Sequence, residues 1–209
     1  MWIVGDMTRN GTESGTSFKQ ALFFKEIGFK LHDTMIYQKD CSPYPETTRY
    51  YQRFEYMFIL CKGKIKTTHL IADVPNKYAG TKITSTTRQV DGSLTPCSAR
   101  KNNIDRRVKD FGIRGNIWLY SVGKNKTTKD AYAYGHPAMF PEQLAADHIL
   151  SWSNEGDIVL DPFLGAGTTA KMAVLNNRHY IGFELSEEYF DIACRRLDEV
   201  ENVTDKNIF

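Results

Sequence analysis

Cys-x-x-Cys pairs are missing from the 209 residues, and the four cysteines, Cys41, Cys61, Cys97 and Cys194, lie far apart. That argues against a zinc site or a disulfide framework and favours a reducing compartment. No apolar run approaches the roughly 18 residues of a membrane span. The opening Met1-Trp2-Ile3-Val4-Gly5-Asp6 lacks a basic stretch followed by a long apolar one, so no signal peptide is expected. Internal repeats and low-complexity tracts are absent, as is the Gly-Lys-Ser/Thr of a phosphate-binding P-loop. What remains is 41% apolar and 25% charged, the balance of a soluble globular chain long enough for one α/β domain, with or without an inserted module.

Net charge is also nearly absent, at +2, but this conceals a division along the chain. Residues 62–114 hold twelve Lys or Arg against four Asp or Glu, whereas residues 136–209 hold five against thirteen. Such asymmetry fits one segment facing a polyanion and another that does not, although a solvated basic face would give the same count.

Trp2-Ile3-Val4 reads as a strand opening at Gly5-Asp6 into a polar loop, Thr8 to Thr16. Ser17 can cap a helix with Phe18, Ala21 and Leu22 on its apolar face, widened by Phe24 and Ile27, and ended by Gly28. Strands are expected over 31–37 and 54–60, with a turn containing Ser42-Pro43-Tyr44-Pro45 between them. From Lys64 to about Gly112 apolar periodicity fades into a basic, loop-rich insertion. Order returns at Gly115-Asn116-Ile117-Trp118-Leu119-Tyr120, and a helix over 142–152 starts after Pro141. Strand, helix, strand, helix over 157–160, 168–175, 180–183 and 187–200 is the βαβ signature of a parallel sheet.

The candidate chemistry sits in the first βα turn, Asp161-Pro162-Phe163-Leu164-Gly165-Ala166-Gly167-Thr168-Thr169. Gly165 and Gly167 permit a tight turn and close approach of backbone N–H groups to a ligand, and the helix from Thr168 points its positive end there. Glu184 ends the next strand, where a carboxylate can accept the ribose hydroxyls of an adenosine-containing cofactor. The same glycines fit the dinucleotide pattern G-x-G-x-x-A, so a nicotinamide or flavin enzyme competes on this evidence. A dinucleotide fold needs further βα units, however, and only twenty-five residues follow Glu184. Asp161 adds an acid able to meet an ammonium group and Phe163 a ring able to pack on the cofactor. An ammonium plus a ribose describes S-adenosylmethionine better than a pyrophosphate.

The turn resembles the cofactor-binding motif of DNA amino-methyltransferases with a permuted motif order, and Gly182-Phe183-Glu184 resembles the motif that follows it. Gly115-Asn116-Ile117-Trp118 and the run His136 to Leu144 resemble the segment that precedes the cofactor motif in this order and contacts the cofactor. Val4-Gly5-Asp6, Met35-Ile36-Tyr37 and Glu55 to Leu60 resemble the strands that follow the family's catalytic motif. The resemblance implies a Rossmann-like α/β methyltransferase fold over 1–209, with a target-recognition-like insertion at 62–114. It implies S-adenosylmethionine as cofactor, held by Asp161, Phe163, Gly165, Gly167, Thr168, Glu184, Phe140 and Pro141. It also implies double-stranded DNA as partner, contacted by Arg100, Lys101, Arg106 and Arg107, and a cytoplasmic, bacterial or phage-type setting.

The family's catalytic motif, Asp, Asn or Ser before Pro-Pro-Tyr or Pro-Pro-Phe, is missing: no Pro-Pro pair occurs. In the family that motif holds the exocyclic amine of a flipped base in line with the methyl group. Ser42-Pro43-Tyr44-Pro45 lies after the third early element and reads as a turn. The strand that carries the motif lies, in the family's sheet, between the strands ending at Asp161 and near Asp6, so two strand edges are expected to lack partners. The chain therefore reads as the carboxy-terminal part of a methyltransferase, produced by truncation, a split gene or a misplaced start codon. An upstream half would carry the catalytic motif. The alternative is an inactive DNA-binding remnant.

Overall fold

The computed structural model describes residues 1–40, 47–97 and 106–206. They form two compact units, Met1–His69 with Asn116–Phe209, and Leu70–Gly115.

In the larger unit, β1 (Trp2–Val4) leads into a hairpin of β2 (Thr8–Arg9) and β3 (Thr12–Glu13). The stretch expected as a loop is a hairpin because Asn10 and Gly11 both take positive φ, 50° and 75°, as a two-residue turn of matching twist requires. Helix α1 (Thr16–Glu26) follows. It starts one residue before Ser17, which does not cap it. Asp6, beyond the end of β1, does so from a distance, its Oδ1 accepting the Ser17 N–H at 3.1 Å and the Ser14 hydroxyl at 2.9 Å. The expected apolar face of α1 is largely bare. Phe18, Leu22, Phe23 and Ile27 are more than half exposed, and only Ser17 and Ala21 are buried.

Strands β4 (Lys30–Lys39) and β5 (Phe54–Cys61) pair antiparallel with Met35 opposite Met57, and β1 adds antiparallel to β5. Past the second unit, β10 (Ile117–Tyr120) adds parallel to β4, completing the order β1-β5-β4-β10. Its pleat buries Trp118 and Tyr120 and leaves Ile117 and Leu119 exposed. A short 3-10 helix (Ala131–Gly135) precedes α2 (Glu142–Trp152), which starts directly after Pro141 as the sequence predicts. Then β11 (Ile158–Asp161), α3 (Thr168–Leu175), β12 (His179–Gly182) and α4 (Glu187–Lys206) form the βαβα unit.

The strands β11 and β12 are parallel, in register Asp161 to Gly182, but they stand apart from the four-stranded sheet. Among the described residues β1 pairs only with β5, and β11 only with β12. One face of the pair is covered: Val159 and Tyr180 pack on Ala145, Ala146, Ile149, Met172 and Ala173. The other is not, with Ile158 at 64%, Leu160 at 61% and Ile181 at 47% exposure. A parallel pair in an α/β protein normally has both faces covered, so these residues mark apolar surface lacking a partner.

The second unit contains β6 (Val74–Pro75) paired with β9 (Phe111–Gly112), and the hairpin β7 (Thr86–Arg88) with β8 (Leu94–Pro96). Short pairings thus lie within a stretch whose sequence shows little periodicity. Arg114 pairs with Asp73 across it. Among the described residues no helix is long and apolar enough to cross a membrane.

Candidate cofactor site

Parallel pairing brings the carboxyl ends of β11 and β12 side by side, and the turn after β11 folds back over the end of β12. The Leu164 N–H donates to the Phe183 carbonyl at 2.8 Å, and the Phe183 N–H to the Asp161 carbonyl at 3.0 Å. Gly182 has no side chain because Leu164 occupies the space: a Cβ there would lie 2.6 Å from the leucine's Cδ2. Gly165 and Gly167 take positive φ, 53° and 79°, and a Cβ on Gly167 would lie 2.8 Å from the Cβ of Ala193 on α4. Close packing of α4 on the turn accounts for the second glycine.

Glu184 is the centre of the site. Its Oε2 accepts the Gly165 N–H at 2.8 Å, and its Oε1 accepts those of Leu185 and Ser186, both at 2.9 Å. The Ser186 N–H first, then those of Gly165 and Leu185, together with the nearby His136, hold its carboxyl below the usual glutamate value. A carboxylate offers about four acceptor positions. Three are used by these backbone donors, which fixes the side chain and leaves capacity for a ribose hydroxyl. Leu185 is fully exposed beside it and Phe163 is 73% exposed, so apolar surface on which a nucleobase can lie flanks the acid.

The donors expected to meet a ligand are spent inside the turn. The Gly165 N–H goes to Glu184, the Gly167 N–H to the Leu164 carbonyl at 3.0 Å, and the Phe163 N–H to Asp161 Oδ1 at 3.0 Å. The glycine turn therefore acts chiefly by positioning Glu184. Thr168 is buried and accepts a hydrogen bond from Arg196 at 3.0 Å. Phe140 packs against the core beneath α2 and α3, and Pro141 is buried, its carbonyl accepting the Leu144 N–H at 3.0 Å. Asp161, Phe163, Gly165, Gly167 and Glu184 are thus together at the strand ends. Thr168, Phe140 and Pro141 stand behind them.

His136, the first residue of the run that resembles the cofactor-contacting segment, joins the site together with Tyr189 and Arg196, which carry no motif signal of their own. His136 lies over the turn: a Cβ on Gly165 would come within 3.0 Å of its Nε2. Tyr189 meets the His136 ring edge-on, with centroids 4.4 Å apart. Arg196, fully buried, donates to the Ala166 carbonyl at 2.7 Å from behind. In the second unit, Arg106 and Arg107 are exposed, and Arg107 also donates to the Gly80 carbonyl at 2.8 Å. Arg100, Lys101 and Ser42-Pro43-Tyr44-Pro45 lie outside the described residues.

A fixed acid at the end of one parallel strand, closed against a glycine turn at the end of its neighbour, is the nucleotide-cofactor site of a Rossmann-like fold, and similarity to known proteins makes the class an S-adenosylmethionine-dependent methyltransferase. Residues 1–195 match the DNA methylase family of N6- and N4-amino-methyltransferases, and the chain belongs to that family. It is 59% identical over 199 residues to the orphan methyltransferase M.BamHII of Bacillus amyloliquefaciens, a match covering 94% of this chain and 73% of that protein. A shorter match, 42% over 86 residues, is to the DNA adenine methyltransferase YhdJ of Escherichia coli K12, covering 41% of this chain and 28% of that one. The fold is similar to PvuII DNA methyltransferase (cytosine-N4-specific), with a TM-score of 0.65 at 17% identity over 98% of this chain and 67% of that one. It is also similar to M1.HpyAVI in complex with S-adenosylmethionine, with a TM-score of 0.56 at 25% identity over 94% and 73%.

Proposed function

We propose that this chain supplies the S-adenosylmethionine pocket and the DNA-facing basic segment of a DNA amino-methyltransferase, and that the catalytic strand comes from residues outside it. The observation that carries the cofactor part is Glu184, locked by three backbone N–H groups next to exposed Leu185 and Phe163. Glu184 holds the ribose, Phe163 and Leu185 bracket the base, and Asp161 takes the ammonium end. The cofactor, when bound, supplies the methyl group. Arg106 and Arg107, with Arg100 and Lys101, contact phosphates of double-stranded DNA.

The catalytic part rests on the unpaired edges of β1 and β11 and on the bare apolar residues Ile158, Leu160 and Ile181. A strand inserted between β1 and β11 would pair both edges, and the helix joined to it would cover the exposed face. The chain spans 73% of M.BamHII, so a relative of this length has room for such an element. The acceptor is the exocyclic amine of adenine or cytosine, in the cytoplasm of a bacterium or of a phage-infected cell.

The test is transfer of a labelled methyl group from S-adenosylmethionine to duplex DNA, by the purified chain alone and with the segment of M.BamHII that this chain does not cover. Transfer is expected only with the segment. A chain that binds NAD and not S-adenosylmethionine in calorimetry overturns the reading. Cofactor and DNA binding with no transfer under either condition leaves an inactive remnant in its place.

A further inference from the structure

Behind the glycine turn lies a group of four charges, a fully buried arginine with three half-buried partners, that ligand contacts leave unexplained. Arg196 of α4 donates from Nε to Asp130 Oδ2 at 2.7 Å and from Nη2 to Glu142 Oε1 at 2.5 Å. Lys171 of α3 reaches the same two oxygens, each at 2.8 Å. The remaining guanidinium nitrogen, Nη1, points at the turn, with the Ala166 carbonyl at 2.7 Å and the Thr168 hydroxyl at 3.0 Å. Two cations and two carboxylates balance. Burial would raise the Asp130 carboxyl, but Lys171 and Arg196 outweigh it and hold the group below its usual value.

Buried ion pairs seldom stabilise a fold more than apolar residues of the same volume would. What a guanidinium adds is geometry, because its donors form a rigid plane. Here that plane joins the two walls of the cofactor site. Asp130 and Glu142 stand at either end of the segment that carries His136, which lies on the front of Gly165. Ala166 and Thr168 are the back of the same turn.

Resting on the cofactor reading above, we propose that Arg196 is a positioning residue for the methyl donor: its fork sets the Gly165–Thr168 turn, and thereby Glu184, at a fixed distance from the His136 segment. It touches no ligand itself. Arg178, another buried arginine, serves as the control: it donates to the Ser153 hydroxyl at 3.1 Å, the Ser153 carbonyl at 2.8 Å and the Asn176 carbonyl at 2.5 Å, none of them in the turn.

The experiment is calorimetry of the full chain with S-adenosylmethionine, well below each variant's Tm. Arg196→Met is expected to raise Kd about tenfold to a hundredfold, the range of a lost charged hydrogen bond. Arg196→Lys, which restores the charge without the fork, is expected to recover part of that affinity. Arg178→Met is expected to lower Tm with Kd within about twofold of wild type, as for a purely structural arginine. Should Arg196→Met fail to fold, Glu142→Gln weakens the group without touching the turn and is expected to raise Kd about threefold or more. Wild-type binding with an unchanged Kd in Arg196→Met, or in Glu142→Gln where it is the variant used, overturns the positioning role alone. Absence of binding by the wild type overturns the cofactor reading and this proposal with it.

Discussion

His148 on α2 makes the stability of the chain depend on pH in a range where few other groups titrate. The residue is buried, its Nε2 3.1 Å from the Met57 sulfur, its ring 4.7 Å from that of Trp118, and its Nδ1 without a hydrogen-bond partner. Burial first, then the charge of the Met1 amino group, lowers its pKa to about 3, against a smaller opposing effect of Asp147. In the unfolded chain the value is about 6.5. Above pH 6.5 the ring is neutral in both states and contributes no slope. As pH falls, the unfolded chain takes up a proton that the folded one refuses, so stability is lost toward the folded value, by up to about 1.4 kcal/mol per pH unit. Between pH 7 and pH 5 the loss is about 2 kcal/mol, a large share of the 5–15 kcal/mol by which domains are typically stable. Urea unfolding at both pH values, on wild type and on His148→Leu, isolates the term, since every other titrating group is shared. The wild type should lose about 2 kcal/mol more than the variant. Equal losses would refute the assignment of a neutral, unpartnered imidazole to this position.

Glu184→Gln keeps the shape but places an amide among three N–H donors, so S-adenosylmethionine should bind about tenfold to a hundredfold more weakly in calorimetry. Gly167→Ala forces a Cβ to within 2.8 Å of Ala193 at a φ of +79°, and should cost about 2 kcal/mol or more, read as a fall in Tm of about 4–8 °C. Replacing Arg106 and Arg107 by Ala should weaken duplex DNA binding and reduce the slope of log K against log salt by about 2, measured by anisotropy titration at several salt concentrations. Ile158→Thr with Leu160→Thr should leave the unfolding free energy of the chain alone within about 1 kcal/mol, because both side chains are more than 60% exposed. The same pair should suppress the methyl transfer restored by an added catalytic segment.

What could be read from the sequence divides along physical lines. Helices α2 and α3 have the bounds their apolar spacing gives, because Pro141 and Gly167 fix their starts locally. The βαβ unit was legible for the same reason: each element carries its own period and its own boundary residues. The β2–β3 hairpin was not read, although Asn10-Gly11 is a direct turn signal, because two-residue strands of polar residues have no apolar alternation to accompany it. The face of α1 is exposed although Phe18, Leu22 and Ile27 recur at helical spacing, because periodicity reports what a helix can bury, not what is there to bury it.

The site follows the same division. Glu184 and the glycines were legible because their spacing along the chain is the motif. The direction of the hydrogen bonds was not: the turn's N–H groups close on Glu184 and Leu164 instead of facing outward, which only the folded backbone decides. Arg196 was invisible for a further reason, since its partners come from three separate segments, at Thr128 and Asp130, at Glu142, and at Ala166 and Thr168. Every one of those residues lies in the larger unit, the one that holds β11 and β12. The cofactor pocket can therefore take its shape from contacts inside this chain, whereas Ile158 and Leu160 on the opposite face are exposed among the described residues. On the function proposed above, binding of the methyl donor and transfer of the methyl group should for that reason be separable properties, the first retained by this chain and the second restored only by an added catalytic segment.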